Sequence, residues 1–100
     1  MKQIAIAGLG VVGGGVADIL VNHAAIVEKN AGEAVSLKAV FTRTKKPDSP
    51  FASYFVSDFS EIEQDREIDL VVETIGGCSV ALDVVTRALK AGKHVVTANK

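Results

Sequence analysis

The sequence predicts an α/β domain: a parallel sheet with helices on both faces, wound outward in two directions from a central strand. Three observations predict it. The first is Ile4-Ala5-Ile6-Ala7 running into Gly8-Leu9-Gly10-Val11-Val12-Gly13, an apolar strand-like run that meets glycines and then a helical pattern. The second is the alternation of strand-like and helix-like stretches along the chain, which requires parallel strands joined by right-handed crossovers. The third is composition: 48% of the residues are hydrophobic, only 5% are aromatic, and two are proline. A core of Val, Ile, Leu and Ala suits strands that are buried on both faces.

Gln3 to Ala7 reads as the first and central strand. From Val11 one helix is expected to run to about Lys29, with Val12, Val16, Ile19, Leu20, His23, Ile26 and Val27 on one stripe. His23 reads as an edge position or a satisfied core imidazole rather than a ligand. Gly14 and Gly15 cost helix propensity, so they read as permitting close packing or close ligand approach. Asn30-Ala31-Gly32 ends the helix.

Val35 to Thr42 is the second strand, followed by a surface loop through Pro47-Asp48-Ser49-Pro50. Tyr54-Phe55-Val56 is a short edge strand. The acidic segment from Ser57 to Glu67 has one apolar side, Phe59 and Ile62. It reads as a short solvated helix rather than as paired carboxylates for acid–base work. Ile68 to Thr74 is another buried strand. Ser79 can cap a helix to Ala91 with Val80, Val84, Val85, Ala88 and Leu89 inward, and Gly92 suits a left-handed helix end. Lys93 to Thr97 is the last strand. This makes about five strands of a Rossmann-type doubly wound sheet. A full six-stranded sheet of this type needs at least one more strand, so residues 1–100 read as a single domain of a longer chain.

Charge and cysteine content narrow the function. A formal net charge of -1 gives no reason to expect nucleic acid or an anionic membrane as partner. One cysteine excludes an internal disulfide and a cysteine zinc cluster, and fits a reducing cytoplasm. No apolar run reaches spanning length, and Met1-Lys2-Gln3-Ile4 lacks the hydrophobic region of a signal peptide. The expectation is a soluble, cytoplasmic protein without bound metal.

In an open parallel sheet, ligands bind beyond the carboxyl ends of the strands, where strand order reverses. Three segments converge there: Gly8 to Gly13, Thr74 to Gly77, and Thr97 to Lys100. Gly-x-G-x-x-Gly between a strand and a helix is the dinucleotide fingerprint. Gly8 turns the chain, Gly10 leaves room for a pyrophosphate, and Gly13 lets helix and strand approach. The helix N-terminus then faces the phosphates. Gly76 and Gly77 let backbone lie against a ribose or nicotinamide. Lys100 brings a cation to the cleft mouth, with an ordinary solvated lysine as the alternative.

The end of the second strand separates NAD from NADP. Asp or Glu there would favour NAD through the ribose hydroxyls. This chain has Arg43 instead, with Thr44, Lys45 and Lys46 behind it. A guanidinium meets a 2′-phosphate bidentately, so NADP is the expected cofactor, NAD remaining open. A solvated basic turn is the alternative. Cys78 stands before a helix, where a thiol can be activated, but no His or Asp has a claim to partner it. It is not read as a nucleophile.

These residues resemble the amino-terminal, nucleotide-binding domain of homoserine dehydrogenase. The resemblance rests on Ala7 to Gly13, on Asp69 to Gly77, and on Ala88 to Lys100, whose ending Val-Val-Thr-Ala-Asn-Lys is the most specific part. It spans nearly the whole chain and is weakest from Lys45 to Gln64. It implies interconversion of L-homoserine and L-aspartate 4-semialdehyde with NAD(P), a step toward threonine, methionine and isoleucine. It also implies site residues. Gly8, Leu9, Gly10, Val11, Val12 and Gly13 would hold pyrophosphate, and Arg43 and Thr44 the adenosine end. Thr74, Ile75, Gly76, Gly77 and Thr97 would line the nicotinamide side, with Lys100 near nicotinamide and substrate. In that family a second α+β domain supplies the substrate-binding acids, the proton-handling lysine and most of the homodimer contact. The alternative function is a non-catalytic dinucleotide-sensing module.

Overall fold

Ile4, Ala5, Ile6 and Ala7 are all buried, and the strand that carries them, β1 (Lys2–Ala7), lies at the centre of the sheet. The computed structural model describes residues 2–42, 49–75 and 79–97, with the side chains of Val11 and Ser79 excepted. Arg43, Thr44, Gly76, Gly77, Cys78 and Lys100 lie outside the described residues. The other strands are β2 (Val35–Phe41), β3 (Phe55–Val56), β4 (Leu70–Glu73) and β5 (His94–Thr97). Their order is β3-β2-β1-β4-β5, and each pairing is parallel. The chain steps out from β1 to one side, then crosses back and steps out on the other. That reversal creates the switch point expected of a doubly wound sheet.

Alternation along β1 sends side chains to two separate cores. Ile4 and Ile6 meet Ala17, Leu20, Leu37, Val40 and Phe51 on one face. Ala5 and Ala7 face the other way, toward Phe59, Ile62, Val84 and Ala88. Small strand residues there leave room for the large Phe59 and Ile62. Helices α1 (Val11–Asn22) and α2 (Ala24–Ala31) cover the first face, and α3 (Ser60–Glu63) and α4 (Ser79–Lys90) the second.

Several sequence expectations need correction. The first helix does not run unbroken to Lys29. His23 leaves helical geometry (φ -126°, ψ 33°) and divides it into α1 and α2. The expected stripe is only partly inward: Val16, Leu20 and Val27 pack into the core, whereas Val12, Ile19 and Ile26 are half or more exposed, at 54, 50 and 60%. Gly13 presses against the first glycine turn, and this contact sets the rotation of α1. Gly13, Ala17 and Leu20 therefore face inward, and His23 is exposed. A Cβ added at Gly14 or Gly15 would meet nothing within 4 Å, so these glycines do not serve close packing. In α4 Val84 and Ala88 are buried and Val80 packs against the core as expected, Ala81 is buried as well, and Leu89 points out. Tyr54 belongs to a single 3-10 turn before β3 rather than to the strand. Gly32 and Gly92 do close their helices in the left-handed region, as the sequence indicates.

Two polar devices fix register. Asp69 accepts the Gln3 backbone N–H (3.0 Å) and so pins β4 beside β1 at their amino ends. Lys93 is buried and donates from Nζ to the carbonyl oxygens of Asp65 (2.5 Å) and Ile68 (3.0 Å), tying the approach of β4 to the start of β5.

Candidate functional site: the glycine turn at the switch point

The register aligns Phe41, Ala7, Glu73 and Thr97 in one row across the carboxyl end of the sheet. Everything beyond that row forms the site. Gly8 follows Ala7 with φ +101°, a conformation that a side chain would strain, and its N–H donates to the Phe41 carbonyl at 2.7 Å. A Cβ on Gly8 would also stand 2.9 Å from the Ile75 nitrogen. Thr74 locks the turn from the other side. Its backbone N–H donates to the Ala7 carbonyl (2.8 Å) and its hydroxyl to the Gly8 carbonyl (2.5 Å). Gly13 then seats α1 on this lock: a Cβ there would lie 2.0 Å from the Gly8 oxygen.

Gly10 is the first residue of the helix entry, and its carbonyl accepts the Gly14 N–H at 2.7 Å. The first backbone N–H groups of a helix have no partner within it, and α1 has neither a capping side chain nor an acid in its first turn. Its positive end is left for an external anion. A Cβ on Gly10 would meet nothing within 4 Å, so the glycine there leaves space rather than relieving a clash. In front of the turn is a cleft of about 200 Å³. Gly8, Leu9 and Gly10 form its floor, with Phe41 and Thr42 from β2 on one wall and Thr74 and Ile75 from β4 on the other. Backbone amides, two threonines and apolar walls can hold a phosphorylated ligand with a flat aromatic part.

The structure thus brings together Gly8, Leu9, Gly10, Thr74 and Ile75. Gly13 lies beneath the turn, and Val12 faces solvent on the first turn of α1. Thr97 stands two strands from β1, at the end of β5, where its hydroxyl donates to Glu73 Oε1 at 2.6 Å. Phe41 and Glu73 were not foreseen. Glu73 is 1% exposed, and its Oε2 accepts the Ile75 N–H at 2.7 Å. The signal for it was an acid that ends an otherwise apolar strand.

The charged groups with displaced acidity lie away from the cleft lining. Desolvation pushes Asp65 up, but the hydrogen bonds from Lys38 and the Glu67 N–H, with the nearby Lys38 and Lys93 charges, together hold its carboxyl below the ordinary value. Hydrogen bonds to Asp65 (2.8 Å) and Glu67 (2.7 Å) raise the Lys38 ammonium in turn. Arg87 is raised by its bond to Glu63 (2.7 Å) and lies over the Phe59 ring, bracing α4 against α3. These are structural pairs.

Residues 8–100 match the family model described as "Homoserine dehydrogenase, NAD binding domain". This chain belongs to that family. Homoserine dehydrogenase from Pseudomonas aeruginosa is 37% identical over 99 residues, and that from Neisseria gonorrhoeae 34% over 100. Each alignment covers 98% of this chain and 23% of the relative, so the chain spans about a quarter of the relatives' length. Among solved structures, S. aureus homoserine dehydrogenase superposes with a TM-score of 0.87 at 34% identity, covering 99% of this chain and 26% of that one. The Thiobacillus denitrificans enzyme also gives 0.87 at 34%, covering 98% and 23%. As a homoserine dehydrogenase NAD-binding domain, the chain has a nicotinamide dinucleotide as its cofactor class. Among the described residues, no helix is long and apolar enough to cross a membrane.

Proposed function

We propose that residues 1–100 form the domain that holds and orients NADP in a homoserine dehydrogenase, the substrate being bound by a further domain. The observation that carries the reading is one juxtaposition. A glycine turn, a helix N-terminus open to anions and two strand-end threonines meet at the switch point of a chain whose relatives are homoserine dehydrogenases. When bound, the dinucleotide supplies the nicotinamide C4 that exchanges a hydride with the carbinol carbon of homoserine.

The residues of this chain bind and position. The turn from Gly8 through Leu9, Gly10, Val11, Val12 and Gly13 directs amides at the pyrophosphate, and Gly10 gives it room. Thr74, Ile75, Gly76, Gly77 and Thr97 back the nicotinamide half. Lys100 brings a cation toward nicotinamide and substrate. Arg43 and Thr44 receive the adenosine end, and the arginine in place of an acid favours the 2′-phosphate of NADP over NAD. The resemblance supports a homodimer for the complete enzyme and a cytoplasmic setting.

The test is cofactor preference in the full protein that carries this sequence. Replacing Arg43→Asp removes a charge-assisted contact and adds a repulsion, so kcat/KM should move toward NAD by ~2–4 kcal/mol relative to wild type. An unchanged NADP-to-NAD ratio would overturn the assignment of Arg43. Absence of homoserine-dependent reduction with either dinucleotide would overturn the function.

A further inference from the structure

Glu73 is the most deeply buried acidic side chain among the described residues, 1% exposed at the last position of β4. It does not line the cleft. Alternation puts it on the same face of the sheet as Val71, in the core beneath α4. Filling that space alone would call for another valine, as at Val71 and Val72 before it. A buried acid is costly unless donors converge on it. Here two do: Oε2 accepts the Ile75 backbone N–H at 2.7 Å, and Oε1 accepts the Thr97 hydroxyl at 2.6 Å.

The Ile75 bond stands where the strand ladder stops. Along a strand, successive backbone amides point to opposite neighbours. The Thr74 N–H turns toward β1 and donates to the Ala7 carbonyl at 2.8 Å, so the Ile75 N–H turns toward β5. The paired register of β4 with β5 ends at Glu73 and Thr97. The Glu73 side chain receives the Ile75 amide just past that end and closes the ladder with its own carboxylate. The Thr74–Ile75 peptide so held is the surface that Gly8 faces. A Cβ on Gly8 would lie 2.9 Å from the Ile75 nitrogen and 3.0 Å from its Cα. Thr74 and Ile75 are one wall of the cleft.

We propose that Glu73 is a positioning residue that acts through Ile75. By taking the Ile75 N–H it ends β4 and fixes the cleft wall against the glycine turn. The grip on the dinucleotide then depends on a carboxylate that does not touch it. The same bond occupies the Ile75 N–H, which leaves the phosphates to the amides at the start of α1. This rests on the reading that a dinucleotide occupies the cleft.

The experiment uses the full protein. Glu73→Met keeps the length of the side chain and removes both acceptors, whereas Glu73→Gln keeps an amide oxygen for the Ile75 N–H. In Glu73→Met the Kd for NADP, measured by calorimetry, should rise about tenfold, the scale of one hydrogen bond lost. The Ile75 amide should also exchange faster with deuterium in the absence of ligand. Glu73→Gln should recover most of both, and the KM for homoserine should stay as in wild type. Lys93→Met loses its hydrogen bonds at the other end of β4 and serves as the control for stability alone; its Kd for NADP should be that of wild type. An unaltered Kd in Glu73→Met overturns the role of Glu73 and leaves the cofactor reading intact. Equal losses in Glu73→Met and Lys93→Met overturn it too, because general destabilisation would then account for the effect. Should Glu73→Met fail to fold, wild type decides: an Ile75 amide that exchanges without protection overturns the proposal. Failure of wild type to bind NADP overturns the cofactor reading, and the proposal with it.

Discussion

Alanine at Gly13 and alanine at Gly15 are the same chemical change on the same helix, yet they should have opposite effects. At Gly13 the added Cβ would lie 2.0 Å from the Gly8 carbonyl oxygen and 2.8 Å from the Thr74 hydroxyl. The near limit for a carbon–oxygen contact is about 3.3 Å. The helix must therefore retreat by roughly 1.3 Å or the glycine turn must deform. Overpacking of this kind costs ~1–3 kcal/mol, with the upper end expected because the obstacle is backbone. Strain on the Thr74–Gly8 hydrogen bond adds ~1 kcal/mol, and the better helix propensity of alanine returns about as much. The net expectation is a loss of ~2–3 kcal/mol, or about 1–2 M in urea midpoint for a chain of this size. Gly15 has nothing within 4 Å of its Cβ position, so alanine there should gain ~0.5–1 kcal/mol from propensity alone. Urea unfolding of the two variants followed by circular dichroism reads both. Midpoints that coincide would show that Gly13 does not seat the helix, and the account of the rotation of α1 would fall with it.

The other predictions concern the polar locks. Thr74→Val removes the hydroxyl that donates to Gly8 and should cost ~1–2 kcal/mol in urea unfolding, with weaker dinucleotide binding by calorimetry as the turn loosens. Lys93→Met keeps the apolar stem but leaves the Asp65 and Ile68 carbonyls without their donor, so a loss of ~2–4 kcal/mol is expected; an unchanged midpoint would show the two bonds to be dispensable. Asp65 has a lowered pKa in the folded state, so its contribution is present above the ordinary aspartate value and lost as pH falls below about 4. The stability gap between wild type and Asp65→Asn should accordingly be open at pH 7 and close toward pH 2. Lys38, whose pKa is raised, contributes below the ordinary lysine value and loses its contribution only as pH climbs above about 10.

Much of this molecule is written in local pattern. The glycines that follow an apolar strand announce the turn, since only a residue without Cβ tolerates φ +101° at Gly8 and the approach at Gly13. The alternation of periods predicts the parallel sheet, and the run from Asp69 to Gly77 reads as a strand ending at the site. What local pattern could not decide is orientation. The apolar residues of α1 fit a stripe through Val12 and Ile19, but contact at Gly13 turns those two outward. Gly13 adds nothing to a hydrophobic stripe, so no periodicity could have ranked it above a valine and an isoleucine. Nor could sequence place Thr97 against Glu73, 24 residues apart, because that pairing comes from the register of β4 with β5. A buried carboxylate is tolerable only where donors converge on it, and that convergence exists only once the strands are side by side. The sequence by itself determined the elements and the glycine turn, since these depend on neighbours along the chain. The tertiary structure decided which faces meet and which polar groups satisfy one another, since these depend on neighbours across the sheet.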